Sequence, residues 1–145
     1  MTSEPARADL AGAGSPPGAV ILVVDDDPGV RDTLSSLLRA DGFQVRLAAN
    51  GDEALAMVDC CRDIALVLTD IVMPEREGLE TIRALRTRVD CPRIVAMSGY
   101  DVGPYLEIAH LLGADATLAK PVTTDTLRSA LAEARLSRGS ANLDR

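Results

Sequence analysis

The chain has 145 residues, 47% hydrophobic and 26% charged, with a net charge of −7. That length supports one domain with its own core, and the acidic balance excludes a general nucleic-acid binder, which needs a basic face. Aromatics make up only 2%, so the core is aliphatic, and no apolar run approaches the roughly 20 residues of a membrane helix.

Residues 1–18, MTSEPARADLAGAGSPPG, are rich in Ala, Gly, Pro and Ser. They lack the apolar stretch of a signal peptide and offer too little apolar surface to offset ordering entropy, so a flexible arm is expected. Ala19 to Val24 is a short continuous apolar run, as in a strand buried on both faces. Asp27 then caps a helix with Pro28 at its first position. Its apolar residues Leu34, Leu37 and Leu38 recur at helical spacing, and Gly42 ends it.

The rhythm repeats. Gln44 to Ala48 reads as a strand, and Asn50 caps a helix carrying Ala54, Leu55 and Val58. Ala65 to Thr69 is the third strand, followed by a helix with Leu79, Ile82 and Leu85. Arg93 to Met97 is the fourth strand, and the next helix runs from about Tyr105 to Leu112 and stops at Gly113. Ala116 to Ala119 is a short fifth strand. Thr123 caps a last helix through Leu127, Ala130, Leu131 and Ala134, and the polar 139–145 reads as a frayed tail. The domain is therefore expected over 19–138.

Five apolar strands alternating with five helices predict a flavodoxin-like, doubly wound α/β fold, (βα)5, with a parallel sheet covered on both faces. Cys60, Cys61 and Cys91 make an odd count with no C-x-x-C spacing. They read as small buried or half-buried apolar residues in a reducing cytoplasm, not as a disulfide framework or zinc site.

Parallel sheets of this kind bind ligands beyond the carboxyl ends of their strands. The residues there are Asp25-Asp26-Asp27 after the first strand, Asp70 after the third, Ser98-Gly99 after the fourth and Lys120-Pro121 after the fifth. Taken singly, each is an ordinary turn, cap or surface charge. Together they bring acids, a hydroxyl and an amine to one edge. Clustered carboxylates without His or Cys select a hard cation, Mg²⁺ by preference, for which Mn²⁺ can substitute. A carboxylate beside such an ion can attack a phosphoryl group, and Ser98 and Lys120 are donors suited to the charge on its oxygens.

The segments ILVVDDDP, LVLTDIVMPEREG, AMSGY and LAKP, in this order, resemble the receiver domain of two-component response regulators over about residues 19–137. The resemblance implies that Asp70 is the phosphoacceptor. Asp25 and Asp26 would form the Mg²⁺-holding acidic pair, Asp26 the direct ligand, with Asp70 and the Val72 carbonyl as further ligands. Ser98 would be the switch hydroxyl, Lys120 the contact to the phosphoryl oxygens, and Lys120-Pro121 a cis peptide. Met73, Pro74 and Gly78 would shape the loop after the nucleophile. The implied partners are a sensor histidine kinase or histidine phosphotransfer protein and a downstream target docking on the fourth helix, fifth strand and fifth helix. Direct nucleic-acid or membrane binding is not expected. The expectation is a cytoplasmic module acting as a single domain, or one domain of a larger protein, monomeric or weakly dimeric, whose only catalysis is its own phosphorylation and dephosphorylation.

Three positions depart from that family's pattern. Thr117 stands where an aromatic is common, so a coupled ring movement cannot occur in that form. Val72 stands where polar side chains are frequent and, with the bulky Tyr100, is expected to shield the aspartyl phosphate and slow its hydrolysis. Val122 follows Pro121 in place of a large aromatic. His110 lies in the fourth helix, away from the strand tips, and reads as a surface or boundary residue. Two rivals stand beside the receiver reading. A dehalogenase-type phosphatase needs an acid two residues after its nucleophile, where this chain has Val72. A pseudo-receiver would fold and bind without phosphorylation.

Overall fold

Near-continuous burial along the first, third and fourth strands calls for helices on both faces of the sheet. The structure, a computed structural model, describes residues 18–71, 78–99 and 103–143, apart from the side chains of 103–106 and 136–143. The expected arm falls on residues outside this range except for Gly18. Among the described residues the order is β1 (Val20–Val24), α1 (Pro28–Ala40), β2 (Gln44–Ala48), α2 (Gly51–Cys60), β3 (Ile64–Asp70), α3 (Gly78–Arg86), β4 (Arg93–Ser98), α4 (Gly103–Leu112), β5 (Ala116–Ala119) and α5 (Thr124–Leu143). The five strands form one parallel sheet ordered β2-β1-β3-β4-β5. This is the flavodoxin-like fold that the sequence predicts.

The period-2 pleat sends neighbouring strand residues to opposite faces. Ile21, Val23, Leu68, Val95 and Met97 pack against Leu34 and Leu38 of α1 and Leu127, Ala130, Leu131 and Ala134 of α5. Leu22, Val24, Val67, Ile94 and Ala96 pack against Ala54 and Val58 of α2, Ile82 and Leu85 of α3, and Ala109 of α4. Each fully buried Leu, Ile or Val side chain contributes about 1.5–3 kcal/mol relative to exposure.

Helix ends follow local chemistry. The Asp27 carboxylate accepts from the Gly29 amide at 2.8 Å, and Pro28 follows where no backbone donor is needed. Asn50 accepts from the Glu53 amide at 2.9 Å, while Glu53 reaches back to the Ala49 amide at 2.8 Å. Gly42 leaves α1 with φ +95°, a left-handed conformation that costs glycine little.

Several boundaries differ from the expectations. β3 extends to Asp70 because Asp70 pairs in register with Met97 of β4. α4 starts at Gly103, two residues early. α5 runs to Leu143, past the expected boundary at Arg138. Nothing in SRGSANL forces a helix to stop as proline would, and among the described side chains Ala134 is the last of α5 in the core. Cys60, expected to be buried or half-buried, is exposed. The buried face of α2 runs through Gly51, Ala54 and Val58, and Cys60, two residues beyond Val58, points elsewhere. Cys61 and Cys91 are half-buried and pack against the core. Among the described residues no helix is long and apolar enough to cross a membrane.

Candidate functional site

Sheet order decides where chemistry can concentrate. The chain leaves β1 toward β2 on one side and returns to β3 on the other, and such a reversal opens a crevice beyond the carboxyl ends of β1 and β3. Val24 pairs with Thr69, so Asp25 and Asp70 emerge side by side.

Asp25 is fully buried, and Asp70 is 6% exposed. A buried carboxylate needs partners, and Asp25 has them on both oxygens. Its Oδ1 accepts from the Asp27 amide at 2.9 Å and its Oδ2 from Lys120 Nζ at 2.8 Å. Its backbone is held as well: the amide donates to Ala48 O at 3.2 Å, and the carbonyl accepts from Arg31 Nη1 at 2.6 Å. Asp70 Oδ2 accepts from the same Lys120 ammonium at 3.3 Å. Asp26 is exposed at the rim.

Asp25, Asp26 and Asp70 each bring a carboxylate oxygen to within 4.8 Å of the others. Three converging oxygen donors with no nitrogen or sulfur suit a hard divalent cation. Asp25 already has hydrogen-bond partners on both oxygens, whereas Asp26 presents its carboxylate to solvent.

Lys120 reaches the cluster from the end of β5, 95 residues from Asp25 in sequence. Its amide donates to Ser98 O at 2.7 Å, which fastens the ends of β4 and β5 together. Burial alone would lower the pKa of its ammonium, but the hydrogen bond to Asp25 and the charges of Asp70 and Asp25 outweigh burial and hold the pKa above its usual value. Ser98 is 1% exposed, and its Oγ is buried with no hydrogen-bond partner among the described residues. A buried hydroxyl pays a desolvation cost that a ligand oxygen would relieve. The Lys120–Pro121 peptide is cis.

Gly78 opens α3 directly against the end of β3. Its amide donates to Ile71 O at 3.2 Å, and a Cβ there would collide with Asp70 O and Ile71 Cα. Val72, Met73, Pro74 and Tyr100 lie outside the described residues. Thr117 is half-buried on β5, where it lines a groove of about 450 Å³ with Glu107, His110, Leu111 and Glu133. His110 is exposed there, away from the acidic cluster. Val122 is half-buried against the α1–α5 core.

Sequence reasoning missed two supports of the site. Arg31 holds the Asp25 carbonyl, and its only signal is its place one helical turn after Asp27 (i, i+4). The backbone approach at Gly78 was expected only as a feature of loop shape.

The model of the response regulator receiver domain matches residues 21–132. Response regulator MprA of Mycobacterium avium (strain 104) is 41% identical over 107 residues, which is 74% of this chain and 46% of that protein. Response regulator MprA of Mycobacterium tuberculosis (strain ATCC 25618 / H37Rv) is 44% identical over 109 residues, with the same coverage of 74% and 46%. The chain thus spans a little under half the length of these relatives. Among solved structures, a response regulator receiver domain protein from Clostridium thermocellum superposes with a TM-score of 0.76 at 28% identity, covering 85% of this chain and 98% of that one. The chemotaxis response regulator CheY4 of Vibrio cholerae superposes with a TM-score of 0.73 at 29% identity, covering 80% and 98%.

Proposed function

This chain belongs to the response regulator receiver domains, and from that membership we propose that it accepts a phosphoryl group on Asp70 from a phosphohistidine donor and signals by altered docking to other proteins. The observation that carries this reading is Lys120 held at 2.8 Å from Asp25 and 3.3 Å from Asp70, beside a buried Ser98 hydroxyl with no partner.

In the transfer, an Asp70 carboxylate oxygen attacks phosphorus in line with the phosphohistidine nitrogen. The O–P bond forms as the P–N bond breaks, and its electron pair returns to the imidazole, which leaves with a proton from solvent. Lys120 places a fixed positive charge where the phosphoryl oxygens gather negative charge. Ser98 turns its hydroxyl toward one of those oxygens and gains the partner it lacks. Asp25, Asp26 and Asp70 would hold Mg²⁺, Asp26 as the direct ligand, and the Val72 carbonyl would be a further ligand by family resemblance. The ion when bound neutralises the carboxylates and the incoming phosphoryl charge.

The upstream partner is a histidine kinase or phosphotransfer protein, and the downstream partner is a target protein. The module works in the cytoplasm, as a monomer or weak dimer, and turns over nothing but its own phosphoryl group. Val72 in place of a second acid disfavours phosphatase turnover on other substrates.

Intact mass after incubation with Mg²⁺ and either acetyl phosphate or a phosphorylated histidine kinase tests this. One added phosphoryl group is expected, lost in Asp70→Asn and after chelation. No gain from either donor would overturn the reading in favour of a module that binds without being phosphorylated.

A further inference from the structure

We infer that Cys60 and Cys61 form a chelating dithiol site for a soft, thiophilic metalloid of the trivalent arsenic class, at the opposite end of the sheet from the acidic cluster. The two sulfurs lie 3.0 Å apart. Both thiols are free, Cys60 exposed and Cys61 half-buried.

Their backbone is anchored on both sides, so the pair is preorganised. Cys60 is the last residue of α2, and Cys61 caps it with extended geometry, φ −122° and ψ 91°. The Cys61 amide donates to Met57 O at 2.8 Å, and its carbonyl accepts from the Ile64 amide at 3.3 Å. Ile64 begins β3, whose other end is Asp70. Six strand steps at about 3.3 Å separate Ile64 from Asp70 by roughly 20 Å, so the dithiol sits at the far end of β3 from Asp70.

The choice of ligand follows from geometry. Adjacent Cα atoms across a trans peptide are about 3.8 Å apart, below the roughly 4.4–6.8 Å of ordinary disulfides, so a direct S–S bond is strained. An inserted atom enlarges the ring. Two bonds of about 2.3 Å, the metal–thiolate scale, span 3.0 Å at an angle of roughly 80°. That is near the right angle of a pyramidal three-coordinate metalloid and well short of the tetrahedral angle of zinc. Zinc also requires four ligands, and among the described residues no third His, Cys, Asp or Glu joins the pair in a cluster.

The step balances without redox chemistry. Phenylarsine oxide, as probe, loses its oxygen as water. Two S–H bonds break, two As–S bonds form, the two protons leave in the water, and arsenic stays trivalent. The hydrogen bond with Cys61 raises the pKa of the Cys60 thiol.

The test treats the full chain with one equivalent of phenylarsine oxide, washes it with excess 2-mercaptoethanol and weighs it intact. One arsenical per chain is expected to survive the monothiol and to be removed by 2,3-dimercaptopropanol. Cys60→Ser and Cys61→Ser each lose it, and Cys91→Ser keeps it, with circular dichroism confirming that each variant is folded. Cys60 is exposed, so Cys60→Ser decides the matter even where Cys61→Ser unfolds. An adduct washed off by the monothiol, one kept by Cys60→Ser, or one lost in a folded Cys91→Ser overturns the assignment.

Discussion

Lys120 Nζ sits 2.8 Å from Asp25 and 3.3 Å from Asp70, so the ammonium leans toward the acid after β1 and away from the acid that ends β3. The lysine thus supplies a positive charge that the acidic cluster would otherwise draw from a cation. Lysine and a divalent ion then compete for the same carboxylates. Lys120→Met is expected to bind Mg²⁺ roughly tenfold more tightly, the equivalent of about 1.4 kcal/mol, while losing most transfer from a phosphohistidine donor. Calorimetric titration reads the affinity, which suits a chain with no tryptophan. Unchanged affinity would show that the ammonium and the ion do not share the cluster.

Gly78 and Gly99 flank the same site but differ in the space around them. A Cβ at Gly78 meets the β3 backbone, whereas one at Gly99 meets nothing within 4 Å. Gly78→Ala must push the end of β3 or the start of α3 aside, an overpacking cost of about 1–3 kcal/mol. Gly99→Ala should stay within about 0.5 kcal/mol. Urea unfolding checks both. The phosphorylation rate should fall only for Gly78→Ala, because the displaced backbone carries Asp70.

The sequence made the layers and the strand-end acids legible because each has a short-range signal: continuous apolar runs, helical spacing, or a charge directly after a run. The topology rule then brought Asp25, Asp70 and Lys120 together across 95 residues. Partners chosen by tertiary packing were not legible. Asp115 in GADA resembles a turn residue, yet it is 6% exposed and bridges two strands. Asp41 in ADG resembles a helix stop, yet it pairs with Arg128, 87 residues away. Neither signal exists until α4, β5 and α5 are docked.

Asp115 accepts from the Ile94 amide at 2.8 Å, and its own amide donates to Ile94 O at 2.7 Å. This reciprocal pair sets the start of β4 against β5 immediately before the ladder opens at Val95 and Ala116. Asp115→Ala leaves a buried amide unpaired and should cost about 1–3 kcal/mol. Asp115→Asn keeps an acceptor and should cost less than half of that. Equal losses in denaturant midpoints would mean that charge, and not the hydrogen bond, is what Ile94 requires.

Arg128 grips Asp41 with two bonds, 2.9 Å and 2.7 Å, joining the end of α1 to α5. Asp41 is the C-cap of α1, where a negative charge opposes the helix dipole. The guanidinium overcomes this and holds the Asp41 carboxyl below its usual pKa. A carboxyl lowered in the folded state stabilises fully above its unfolded pKa, about 3.9, and loses that contribution as pH falls through the folded value. The stability gap between the natural chain and Asp41→Asn should be about 0.5–1 kcal/mol near neutrality, small because the guanidinium is half exposed. It should shrink steadily below about pH 4. Arg128→Ala should cost more than Asp41→Asn at pH 7, because it strands the acid at the negative end of α1, and the excess should vanish in the same acid range. Urea midpoints from pH 3 to pH 7 measure both curves. A gap that stays flat across that range would remove the ion pair from the account of how α1 and α5 are held.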